Sequence, residues 1–137
     1  MKKKYNERLE YDSTAKREIG EYGLHYIKEN EVYFFDVSTT IKYLCDYLNK
    51  PSKIYIHSID NVDILANKSA VDVHLLGGKL NKKNRFFFGS SIISQLENIF
   101  FDKVFIGVAA LRKDGLYFDD EEDAYIKQYV IKRSKKL

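Results

Sequence analysis

Tryptophan is absent from this 137-residue sequence, and proline, cysteine and methionine each occur once. The lone cysteine, Cys45, excludes an internal disulfide and suits a reducing compartment. The lone proline, Pro51, and only 7 glycines leave no low-complexity segment and no linker long enough to divide the chain. The longest apolar run, Val104 to Leu111, covers 8 residues, far short of the roughly 20 that a membrane-spanning helix needs. No secretory signal follows Met1-Lys2-Lys3-Lys4, because polar sequence comes next. No membrane association is therefore expected, and the expected location is the cytoplasm.

What is present is ample core material. Hydrophobic residues make up 45% of the chain, and the aromatic 15% is all Tyr and Phe. A chain of this length buries roughly two-thirds of the surface it exposes when unfolded, so one domain folds without a metal or disulfide staple. Charged residues amount to 31%, with a formal net charge of +3. That +3 is uneven: residues 1–17 carry +3, residues 119–123 carry −5, residues 127–137 carry +5, and the middle is neutral. A DNA-binding face shows a basic stripe across folded structure, whereas here the basic residues crowd the ends as solvated termini. Neither a helix-turn-helix pattern nor finger-type Cys/His spacing is present.

From residue 14 onward, helical and extended segments alternate. Ile19, Tyr22, Gly23, Tyr26 and Ile27 fall at helical spacing after Asp12, Ser13 and Thr14, and predict an amphipathic helix. Val32 to Phe35 reads as a strand covered on both faces. Ile41, Leu44, Cys45 and Leu48 predict a helix ended by Pro51. Strands are expected at Ile54–Ser58 and Val71–Leu76, with a helix at Ile59–Asn67 between them. Asn81–Arg85 reads as a turn and Phe86–Phe88 as a short strand. A helix capped by Ser90 or Ser91 would bury Ile92, Ile93, Leu96 and Ile99. A strand at Lys103–Ala109, another at Leu116–Phe118 and a final helix from Glu121 to about Arg133 through Ile126, Tyr129 and Val130 complete the chain. The pattern predicts an α/β domain: a mostly parallel, Rossmann-like sheet with helices on both faces.

Ligands of such sheets sit beyond the carboxyl ends of the strands. Those positions read Asp36-Val37-Ser38-Thr39-Thr40, His57-Ser58, Gly77-Gly78-Lys79 and Gly107-Val108-Ala109. Ser38, Thr39 and Thr40 lie where a strand hands over to a helix, so hydroxyls and unpaired N–H groups can converge on one anion. Simple N-capping by Ser38 or Thr39 accounts for them equally well. Asp36 closes an apolar strand, where an acid needs a hydrogen-bonding partner, either sugar hydroxyls or its own loop. Gly77-Gly78 permits close approach or forms a plain turn. Gly107 inside an apolar strand marks a ligand or a packed helix passing close. The acidic run Asp119 to Asp123 suits a helix N-terminus. Lys127 is four residues beyond Asp123, placed for a surface ion pair or for reaching into the site.

His25, His57 and His74 have no ligand spacing, so no metal is expected, and no cofactor. Cys45 belongs to an apolar helix stripe and reads as packing. No Ser-His-Asp arrangement is visible, and no catalytic residue is assigned.

Six segments in order, AKREIG, FFDVSTT, IHS, VHLLGGKL, FDKVFIGV and DAYIKQYVI, resemble the effector-binding sensor domain of DeoR-family transcriptional repressors. That family's fold is similar to ribose-5-phosphate isomerase and the coenzyme A transferases. The resemblance covers the chain from about Lys16 to its end. It implies a non-enzymatic domain that binds a phosphorylated sugar or similar metabolite and controls a helix-turn-helix module bound to operator DNA. By that resemblance Asp36, Ser38, Thr39 and Thr40 hold phosphate and sugar; Ser58, Gly77, Gly78 and Gly107 line the cleft; and Lys127 closes it. It further implies a homo-oligomer, a dimer or tetramer; Phe86 to Phe88 is a candidate contact because exposed Phe clusters are unusual. The DNA-binding module is expected to precede residue 1, with residues 1–15 as connector, residues 16–137 as the sensor domain, and one or two more strands after residue 137.

Ser38 stands where the family has Gly, His57 where it has Asn, and Asp123 where it has Glu. A Cβ at Ser38 is expected to narrow the anion site, changing the ligand or abolishing binding. Two other readings remain: a phosphosugar isomerase using Asp36 and Lys127 for proton transfer, and an oligomerisation module with a vestigial site.

Overall fold

Val32 to Phe35 is apolar at every position because both its faces are covered in the structure, a computed structural model that describes residues 13–107, 110–112, 115–117 and 121–134. This strand, β1 (Val32–Phe35), pairs in parallel with β2 (Ser52–Ile56) on one side and β6 (Lys103–Phe105) on the other. β3 (Val71–Leu75) continues the sheet beyond β2, giving the order β3-β2-β1-β6. Tyr33 and Phe35 point into one core with Ile54, Ile56 and the helices α2 (Thr39–Tyr47) and α3 (Ile59–Leu65). Phe34 points into a second core with Phe101, α4 (Ser90–Leu96) and α5 (Glu121–Lys132). The protein is therefore α/β, a parallel four-stranded sheet flanked by helices, as the alternating pattern predicts.

Several boundaries differ from the sequence expectation. The first helix, α1 (Ser13–Gly23), gives way to a 3-10 turn at Leu24–Tyr26. Ile27 is buried, but Ile19, Tyr22 and Tyr26 are exposed. The face turned inward is instead set by Gly20, where a Cβ would stand 2.7 Å from Tyr43 Cβ and 2.9 Å from Leu44 N. Lacking a side chain, Gly20 lets α1 cross α2 closely, a contact that no hydrophobic spacing reveals.

The helix α2 ends at Tyr47, where Leu48 turns extended, so Pro51 is not its terminator. The segment after Gly78 forms a hairpin of β4 (Lys79–Asn81) and β5 (Phe86–Phe88), of which β4 was not expected. A strand of three residues is too short for a readable alternation. Phe86 is fully buried, while Phe87 and Phe88 are half-buried, so the Phe86–Phe88 segment is no wholly exposed cluster. Neither Ser90 nor Ser91 caps α4; Gly89 does so with φ 114°, a left-handed value that favours glycine, and Ser91 Oγ donates to Gly77 O at 3.2 Å. Ile92 and Leu96 are buried as expected, but Ile93 and Ile99 only partly. A second hairpin joins β7 (Ala110–Arg112) to β8 (Gly115–Tyr117). The expected strand to Ala109 is described only as β6 plus Ile106 and Gly107; Val108, Ala109 and Phe118 lie outside the described residues, as do residues 1–12 and 135–137.

Cys45 is fully buried in the first core, and burial pushes its thiol well above the ordinary range, with Asp46 adding to the shift. Since the thiolate is the reactive form, native protein is expected to resist an aromatic disulfide reagent at neutral pH. Release of thionitrobenzoate should then track unfolding; rapid labelling of folded protein would contradict this packing.

Candidate functional site

The strand order reverses at β1. The chain leaves β1, crosses through α2 to β2 on one side, and later returns to place β6 on the other. A crevice forms at such a point, beyond the carboxyl ends of β1 and β6. Asp36 follows β1 there, and Ile106-Gly107 follow β6.

Asp36 is fully buried. Its Oδ2 accepts the Gly107 N–H at 2.8 Å and lies 3.0 Å from Lys127 Nζ. Lys127, itself 5% exposed, also donates to Gly107 O at 2.6 Å. One lysine on α5 thus ties the ends of β1 and β6 together, with the Asp36 carboxylate beside its charge. A buried charge pair of this kind is costly to desolvate and holds only because each partner is hydrogen-bonded as well. Of the two geometries that the sequence left open for Lys127, the inward one is taken. The Asp123 side chain lies outside the described residues, as do Asp119 and Asp120.

Ser38 is the N-cap of α2, its Oγ accepting the Ile41 N–H at 3.0 Å. Its backbone is extended, φ −159° and ψ 158°, a conformation open to any residue. Nothing in the loop demands glycine at this position. The added Cβ is accommodated at Gly107, where a Cβ would come within 2.8 Å of Ser38 Cβ and 3.2 Å of its Oγ. The close approach is therefore absorbed by the absent side chain of Gly107 on β6. Thr39 is buried and Thr40 half-buried, and their N–H groups, by position in the first turn, have no intrahelical acceptor. The Ser38 Oγ thus satisfies the Ile41 N–H, and among the described residues no hydrogen bond is seen to the Thr39 or Thr40 N–H.

Ser58 caps α3 by accepting the Asn61 N–H at 3.2 Å, and it is fully buried. Asn61, not singled out from the sequence, is also fully buried, and its Nδ2 donates to Asp36 O at 3.2 Å. The signal was available: Asn61 lies four residues before Leu65, on the buried stripe of α3, where a polar side chain needs a partner. Through Asn61, Ser58 is linked to the Asp36 loop. His57 is buried between the Phe34 ring, stacked at 5.3 Å, and the Phe86 ring, edge-on at 5.6 Å.

Gly77 and Gly78 make their contacts elsewhere. Gln95 Nε2 and Ser91 Oγ both donate to Gly77 O, at 2.7 and 3.2 Å, and a Cβ on Gly78 would collide with the Phe88 carbonyl. The pair thus docks the β3 end on α4 and β5, and the contacts that define the Asp36 cluster do not include it. A separate groove of about 400 Å3 lies between Phe88, Ser90, Ile93 and the α5 residues Glu122 and Tyr125. Glu122 and Tyr125 occupy the side of α5 away from Lys127, so this groove lies apart from the Asp36–Lys127 pair.

Among the described residues no three His, Cys, Asp or Glu side chains gather as metal ligands, and no helix is long and apolar enough to cross a membrane. Comparison with known proteins bears on the same segments. The family model for the DeoR C terminal sensor domain matches residues 12–137. The chain is 34% identical over 134 residues to the HTH-type transcriptional repressor GlcR of Bacillus subtilis, covering 97% of this chain and 52% of that protein. It is 26% identical over 135 residues to the HTH-type transcriptional regulator GlpR of Haloferax volcanii (97% of this chain, 53% of that protein). It is 25% identical over 124 residues to the lactose phosphotransferase system repressor of Staphylococcus aureus (88% and 49%). The chain spans about half the length of these curated relatives. With the family model matched almost end to end and the sheet order to carry it, this chain belongs to the DeoR C-terminal sensor-domain family.

Proposed function

We propose that this domain senses a phosphorylated sugar or a closely related metabolite on behalf of a DeoR-type regulator of sugar metabolism. The observation that carries the reading is the buried Asp36–Lys127 pair beside the Ser38-capped N-terminus of α2, at the switch point of the sheet. Phosphate is matched to the Thr39 and Thr40 N–H groups and hydroxyls, where the helix end favours an anion. Ser38, Ser58 and Gly107 border the same crevice; Gly77 and Gly78 contribute through the β3 end that they anchor. Asp36 and Lys127 would meet the sugar hydroxyls and the phosphate. An arriving anion draws Lys127 toward itself and away from Asp36, which shifts α5 against β6. Such a ligand changes the equilibrium only by as much as it prefers one position of α5 over the other.

Operator DNA would be contacted by a helix-turn-helix module joined through the segment around residues 1–15, in the cytoplasm, with the sensor domains assembled as a homo-oligomer. An isomerase reading gains no support: Asp36 Oδ2 is already engaged by a backbone N–H and a lysine, which suits holding better than proton transfer.

The test is thermal denaturation with sugar phosphates against the matching free sugars. A ligand at a hundred times its dissociation constant stabilises the fold by about 2.7 kcal/mol. A phosphorylated sugar is expected to raise the midpoint while its free sugar does not. Equal response to both, or turnover of a sugar phosphate that Asp36→Ala abolishes, would count against the proposal.

A further inference from the structure

We propose that β3 is the contact through which two copies of this chain join, pairing antiparallel about Val73 to extend one sheet into the other. β3 is the last strand of the four-stranded sheet. The Leu76 N–H donates to Ile56 O, so by the alternation of a strand the backbone groups of Asp72 and His74 face β2 and those of Val71, Val73 and Leu75 face outward. Among the described residues, the one bond seen on that outer side is Val71 N–H to Lys68 O. An open edge of this kind is a template for another strand.

What selects a second copy is the sequence of the strand itself. Val71-Asp72-Val73-His74-Leu75 is self-complementary when reversed. With a two-fold axis at Val73, the two Val73 residues exchange N–H and C=O, and each Leu75 N–H meets the partner's Val71 carbonyl. The outward parity of Val73 makes it a hydrogen-bonded pair, so Asp72 and the partner's His74 form the closer, non-hydrogen-bonded pair. Their side chains share one face: within the chain, His74 Nε2 already lies 3.1 Å from Asp72 Oδ2, with the His74 ring stacked on Tyr55 at 4.7 Å. The His74 side chain is 38% exposed with its Nε2 covered, and the Asp72 side chain, 65% exposed, is the more open to a cross-strand partner. On the opposite face, Leu75, 46% exposed, would lie against the partner's Val71 and extend the apolar layer that Val71 and Val73 already line. The charged row is complementary and the apolar row continuous in this register. A one-residue slip sets Asp72 against Leu75 or Val73 and His74 against Val73 or Val71, so the complementary charges no longer meet. The contact is isologous, as a closed dimer requires.

Sedimentation equilibrium of the intact chain over a dilution series tests this. The expected mass at high concentration is twice the 16.1 kDa of the chain. Val73→Pro removes an outward N–H without breaking the β2–β3 ladder, and is expected to weaken association about tenfold or more. Asp72→Lys is expected to weaken it as well, and adding His74→Glu to that variant to restore it, since opposite charges again face each other. A wild-type chain that stays monomeric throughout overturns the proposal, as does a dimer unchanged in these variants. If circular dichroism shows Val73→Pro to be unfolded, the Asp72→Lys variant with and without His74→Glu decides: no loss, or loss without restoration, refutes the pairing.

Discussion

Replacing Lys127 by methionine is expected to destabilise the protein by about 3–5 kcal/mol, because it leaves the Asp36 carboxylate buried with its cation removed. Asp36 has no exposed surface, and Lys127 supplies both its charge partner and the bond to Gly107 O. Methionine keeps the length of the side chain, so the loss reports charge and hydrogen bonding more than volume. For a domain of this size the melting midpoint should fall by roughly 10–17 °C. Adding Asp36→Asn to Lys127→Met removes the stranded charge and should recover a substantial part of the loss, giving a clear coupling in a double-mutant cycle. Neither variant should respond to a sugar phosphate in the thermal assay. Two losses that simply add would mean that the two side chains act independently, against the geometry described above.

Gly107→Ala is the second large effect. The new methyl group would lie 2.8 Å from Ser38 Cβ and 3.6 Å from Asp36 Oδ2, inside a contact that two loops make against each other. Overpacking of this kind costs about 1–3 kcal/mol. It also pushes the Gly107 N–H away from Asp36, so the ligand response should fall with the stability. Ser38→Gly alone should cost only a few tenths of a kcal/mol, since glycine is a tolerated N-cap. In the Gly107→Ala background, however, Ser38→Gly removes the opposing Cβ and should restore most of the stability. Urea midpoints of the four proteins settle the matter; a Gly107→Ala variant as stable as wild type would show that the loops have room.

The same pair of residues shows where the Cβ of Ser38 is accommodated. The expectation of a narrowed anion site at Ser38 considers the loop alone. In three dimensions the Ser38 Cβ lies against Gly107, and its hydroxyl caps α2 through the Ile41 N–H. The exposed Ile19, Tyr22 and Tyr26 carry a parallel lesson. Helical spacing identified a helix but chose the wrong face, because a single glycine against Tyr43 and Leu44 set the orientation of α1.

The sequence by itself determined the alternation of strands and helices, the parallel sheet, and the position of Asp36, Ser38 and Gly107 at strand ends. Those features rest on local periodicity and on the obligation of apolar faces to be covered, and both are properties of neighbouring residues. The tertiary structure alone decided that Lys127 turns inward to Asp36, that Asn61 joins Ser58 to the Asp36 loop, and that Gly77 and Gly78 serve the α4 contact instead of the same cluster. Each of these is a choice among partners distant in the chain. Such a choice depends on which strands become neighbours and on where a buried charge or amide finds its hydrogen-bonding complement, and only the folded arrangement of β1, β6 and α5 supplies that.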